Sequence, residues 1–149
     1  MTDGVREPDP TRLLPIVVGA HLEAEWRDRP IAADLAAALT PALGRDCPLT
    51  PLVVSDLWYL NDQPLRVQPA ITLGHPEVNA VTAYLATRVP TALLVEERFR
   101  VQLDPELIDL HVCLWGADPA GTAAAVDCFH ERHLADYAAA VRLLAVEIA

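Results

Sequence analysis

Ala70-Ile71-Thr72-Leu73-Gly74-His75-Pro76-Glu77-Val78-Asn79-Ala80 reads as a buried strand, a sharp turn and the opening of a helix. Ile71, Thr72 and Leu73 are β-branched or bulky and favour a strand. Gly74 permits a backbone angle that other residues resist. Pro76 suits a first helical position, where its missing N–H has no partner to lose, and this makes His75 the expected N-cap. Val78, Val81, Leu85 and Val89 then recur at helical spacing.

A second corner repeats the plan. Val112-Cys113-Leu114-Trp115 is an apolar strand. Gly116, Ala117, the strong cap residue Asp118 and Pro119 follow it. Asn79 and Thr122 each stand four places after their expected caps. Two strand-to-helix corners of this kind point to an α/β fold with a crevice at the carboxyl ends of the strands.

The rest of the chain fits around them. Residues 1–11 are polar and acidic with two prolines and read as a disordered tail, leaving residues 12–149 as one domain. Pro15-Ile16-Val17-Val18 forms the first strand, ending at Gly19. A helix is expected from Pro30 to Leu43, with Gly44 as its stop. Leu49–Ser55 is the next strand, and Asp56 follows it directly. Leu93–Leu103 alternates apolar and charged residues beyond Glu96-Glu97-Arg98 and reads as an antiparallel hairpin. Leu110–Trp115 is almost wholly apolar and is expected to be central.

From Asp118 to Glu147 the periodicity continues as one helix, roughly 45 Å long. A globule of this chain length has a radius of gyration of about 15 Å. The helix must therefore overhang, docking its second half on a partner chain, or break near His133. The expected class is Rossmann-like three-layer α/β, a mostly parallel sheet with an antiparallel hairpin and a long C-terminal helix.

Composition narrows the function classes. The 149 residues carry a net charge of −10, with 21 acidic and 11 basic side chains. Nucleic acid and anionic membranes are poor partners for such a surface. No apolar run is long enough for a membrane helix. Cys47, Cys113 and Cys128 are odd in number and widely spaced, which fits reduced thiols and a cytoplasmic location. No export signal is expected from the polar start.

The strand ends carry His21, Asp56, His75, Asn79, Asp118 and Thr122. Asp56 and His75 are the candidate acid–base pair. Asn79, His21, Asp118 and Thr122 are candidate ligand contacts. Glu77 already satisfies the first helix dipole, no basic residue adjoins it, and neither GxGxxG nor GxxxxGK[ST] occurs. A neutral polar ligand or a cation therefore suits the corners better than a phosphate. No cofactor is expected. His130 and His133 share a helix face but lack a third zinc ligand, so no metal site is expected, and His130 reads as a packed core histidine. Ser55 is the only serine and no GxSxG occurs, which leaves nucleophilic catalysis little support.

The pairing of a Gly–Pro–Asn corner with a Gly–Asp–Thr–Ala corner resembles the Rossmann-like modules of bacterial cell-wall-binding repeats. The resemblance covers two short motifs, and no residue role is carried over from it. Two functions follow as expectations. One is a small α/β binding or interaction module, self-associating through the hairpin or the C-terminal helix, with Trp58 and Tyr59 as contact residues. The other is a small hydrolase or transferase acting on a polar metabolite through Asp56 and His75. A pocket where Asp56, His75 and Asn79 converge favours the enzyme. An Asp56 held by backbone hydrogen bonds favours the module.

Overall fold

The computed structural model describes residues 9–148. Of the expected tail, residues 1–8 lie outside the described residues, and Pro10–Arg12 forms one 3-10 turn. Six strands make a single sheet: β1 (Leu13–Val18), β2 (Thr50–Ser55), β3 (Ala70–Leu73), β4 (Thr91–Val95), β5 (Phe99–Gln102) and β6 (His111–Gly116). Their order is β2-β1-β3-β6-β5-β4. The first four in that order are parallel, and the β4–β5 hairpin is antiparallel, with β5 also antiparallel to β6. The class is the α/β class expected, and β6 is central.

Both faces of the sheet are covered because successive side chains point to opposite sides. One face, with Leu14, Ile16, Ile71, Val112 and Leu114, meets α1 (Arg29–Leu43), α5 (Pro119–Arg132) and α6 (Leu134–Ile148). The other, with Val17, Ala70 and Cys113, meets α2 (Asp56–Leu60), α3 (Gln63–Arg66) and α4 (Ala80–Leu85). This is why the central strands read as continuous apolar runs.

The C-terminal helix is broken. His133 leaves helical geometry at φ −128°, ending α5, and α6 starts at Leu134. The break seats Tyr137, Val141 and Ala145 in the larger core. The Tyr137 hydroxyl donates to the Leu110 carbonyl at 2.8 Å. Of the two alternatives, overhang or a break near His133, the chain takes the break. It also corrects His130. The buried stripe of α5 runs through Ala125, Val126 and Phe129, so His130 faces outward and is exposed.

Both sheet edges are blunted against pairing. β2 carries Pro51, and β4 is short and irregular between Thr91 and Leu93. All three cysteines are unpaired. Cys113 is buried in the sheet, and burial pushes its thiol up to about 12. In the folded protein Cys113 is expected to resist Ellman's reagent at pH 8, and all three thiols are expected to react after denaturation. Rapid labelling of native Cys113 would contradict its place in the core.

Candidate functional site

The sheet order sets the site. The chain leaves β1 and β6 toward one face and β3 toward the other, so the turns after these strands part and leave a crevice between them. The corners after β3 and β6 are neighbours, since those strands pair directly.

The turn after β3 differs from its sequence reading. The His75 carbonyl accepts from the N–H groups of Val78 and Asn79, both at 3.0 Å, and His75 Nδ1 accepts from the Glu77 N–H at 3.0 Å. His75 thus closes a tight turn. The N-cap of α4 is Asn79, whose Oδ1 accepts from the N–H groups of Val81 (2.9 Å) and Thr82 (3.2 Å). An amide side chain is the better cap, and the helix starts where it stands. At the other corner Asp118 is the cap expected, accepting from the Gly121 N–H at 2.7 Å. Thr122 Oγ1 accepts from the Gly116 N–H at 3.1 Å.

The third wall comes from the turn after β1. His21 Nδ1 accepts from the Glu23 N–H at 3.2 Å, and Ala24–Asp28 then forms a π-helical turn running into α1. This widened turn swings Asp28 inward. Asp28 is 3% exposed and has no hydrogen-bond partner for its carboxylate among the described residues. Its Oδ2 lies 2.5 Å from where a Cβ on Gly74 would sit. Gly74 has φ +106°, so both its backbone and its lack of a side chain are needed there.

Glu23, Asp28, His75, Glu77, Asp118 and Thr122 line the resulting hollow of about 110 Å³. That volume is at the small end for a ligand site, and the hollow is open to solvent on one side. Burial, and then the charge of Glu23, push the Asp28 carboxyl up to about 6. His75 forms the far wall, edge-on to Trp115 with ring centres 5.4 Å apart. Past it a second hollow of about 150 Å³ is bounded by Arg98, Phe99, Arg100 and Trp115.

Of the residues singled out from sequence, His75, Asp118 and Thr122 meet at the crevice. His21 sits exposed at the same end of the sheet but does not line it. Asp56 is buried and both its oxygens are occupied, by the N–H groups of Ala20 (3.1 Å) and Ala80 (2.8 Å). Asn79 is also buried, its Nδ2 donating toward the Leu73 carbonyl (2.7 Å), Thr72 Oγ1 (2.9 Å) and the Val17 carbonyl (3.2 Å). Neither lines the hollow at which His75 stands, so Asp56, His75 and Asn79 do not converge on one site.

Trp58 is 66% exposed, whereas Tyr59 is a core residue whose hydroxyl donates to the Arg66 carbonyl at 3.4 Å. Among the described residues no group of three or more His, Cys, Asp or Glu side chains is placed to hold a metal ion. No helix among them is long and apolar enough to cross a membrane.

Glu23, Asp28 and Glu77 were not singled out as site residues. Asp28 stands two places before Pro30, as a cap residue would, and this was the available signal. In the structure its side chain caps nothing: Pro30, two places on, has no N–H to offer, and the backbone runs on helically from the π-helical turn, with the Arg29 N–H donating to the Ala24 carbonyl. No protein-family model matches the chain, and no curated protein matches it.

Proposed function

We propose that the protein is a small binding module whose ligand is a small polar molecule held in the crevice between the turns after β1, β3 and β6. The observation that carries this reading is the unpartnered Asp28 carboxylate at the floor of a hollow also lined by His75, Asp118 and Thr122. Asp56 held by two backbone N–H groups weighs against the hydrolase or transferase alternative, which needed that carboxylate at the site. Self-association is assigned to the exposed apolar side chains Leu52, Leu57 and Trp58, since both sheet edges are blunted. A reducing, cytoplasmic setting fits the three unpaired thiols.

The test is a ¹H–¹⁵N correlation spectrum recorded with a panel of small polar metabolites of each charge. A ligand is expected to move the amides of Gly74–Val78 and Ala117–Thr122 and leave those of α3 unmoved. No shift with any member, or shifts confined to other surfaces, would remove the crevice from the reading. Sedimentation of the native protein and of Trp58→Ala tests the self-association separately.

A further inference from the structure

We infer that the crevice selects an ammonium group, with Asp28 as its counter-ion. This rests on the reading of the crevice as a ligand site and names the chemistry of what enters it.

Asp28 is 97% buried as a residue, taking its 3% exposure, yet its oxygens are not sealed off. They find no donor among the described residues and border the hollow. Asp56 is the internal contrast, a buried carboxylate with both oxygens satisfied. A carboxylate without protein donors is met only by the water that reaches it in the crevice, and a bound donor would take that water's place. The donor has to be cationic. Glu23, Glu77 and Asp118 share the lining, and no Lys or Arg is part of it. The positive end of α5, which would draw an anion, is already answered by the Asp118 carboxylate. The hollow suits an ammonium head, while the space beyond His75, bounded by Phe99 and Trp115 and by Arg98 and Arg100, with Arg100 over the Trp115 ring at 5.1 Å, suits an uncharged flat body rather than a second cation.

Protons compete for the same place. Asp28 is faced by Glu23 from its own stretch, by His75 and Glu77 from the β3–α4 turn and by Asp118 from the β6–α5 turn. Acidification neutralises Asp28, and this weakens the hold on a cation.

The probes are benzylamine, its neutral isostere benzyl alcohol and the anion benzoate, titrated into the native protein and followed by ¹H–¹⁵N spectra, with methylammonium as the minimal head group. Benzylamine is expected to move the Gly74, Ala117 and Gly121 amides saturably, and its affinity is expected to drop as pH falls through 6. Asp28→Asn is expected to weaken it by about tenfold or more, and the exposed Asp34→Asn to leave it unchanged. Benzyl alcohol or benzoate binding there as well as benzylamine would overturn the ammonium assignment and leave the crevice a ligand site. Equal benzylamine affinity in Asp28→Asn would overturn the role of Asp28. Silence from every probe, methylammonium included, would overturn the assignment, and silence from the whole metabolite panel would take the crevice reading with it.

Discussion

Replacing Asn79 with aspartate is expected to destabilise the protein by about 3–5 kcal/mol at neutral pH, on the order of half the stability of an ordinary domain. The substitution is nearly isosteric and keeps an oxygen for the N–H groups of Val81 and Thr82, so the cap survives. What is lost is the donor side. A carboxylate oxygen would be placed against the carbonyls of Leu73 and Val17 and the Thr72 hydroxyl, with no water to separate them. Such a carboxyl should hold its proton well above the ordinary range, and protonation returns one donor. The loss should therefore shrink as pH is lowered. Urea unfolding of Asn79→Asp beside Asn79→Ala checks this. An aspartate variant as stable as wild type at pH 7 would mean that Nδ2 does not join the three acceptors.

Asp28→Asn should do the opposite and stabilise the unliganded protein. The carboxyl sits at about 6 when folded, because of burial and then Glu23, against about 3.9 in an unfolded chain. Above pH 6 both states are ionised, and the folded one carries the full cost of an unsolvated charge. Between 6 and 4 the folded state takes up its proton first, so wild type gains stability through this group as pH falls. Below 4 both states are protonated and the contribution is constant. The gap is worth roughly 3 kcal/mol at face value, reduced to about 1–2 by water in the open crevice. The variant should thus be more stable than wild type by that amount at pH 7–8, with the difference fading by pH 4. Paired denaturation curves across this range give the answer. A variant less stable than wild type at pH 7 would show that the carboxylate has a donor. A residue that lowers stability where it stands, and lines a crevice, fits selection for something other than folding.

These two positions also show what the sequence could and could not convey. The corners were legible because Gly74 and Gly116 end apolar runs, Pro76 begins a turn and Pro119 a helix, all local effects of backbone geometry. His75, Asp118 and Thr122 followed from their distance to those corners. Asp56, Asn79 and Asp28 look alike as polar residues beside apolar runs. Which of them is satisfied depends on N–H groups from distant parts of the chain, such as Ala20 for Asp56. The inward swing of Asp28 comes from a π-helical turn, whose spacing no 3.6-residue pattern reveals. Tyr59 and Trp58 are adjacent, and only the packing of α2 decides that the first is buried and the second exposed.

The break at His133 bears on the order in which the chain can mature during synthesis. β1, β2 and β3 and the helices between and after them are translated before β6 and can assemble most of the smaller core face, with Cys113 and the partly buried Trp115 arriving later. The larger core takes Tyr137, Val141 and Ala145 from α6, which folds back beside α1. Until α6 leaves the ribosome, the apolar sides of α1 and α5 on which it packs stay open to water and to other chains. The nascent polypeptide therefore exposes that adhesive surface until α6 has been made, and closes it when α6 docks.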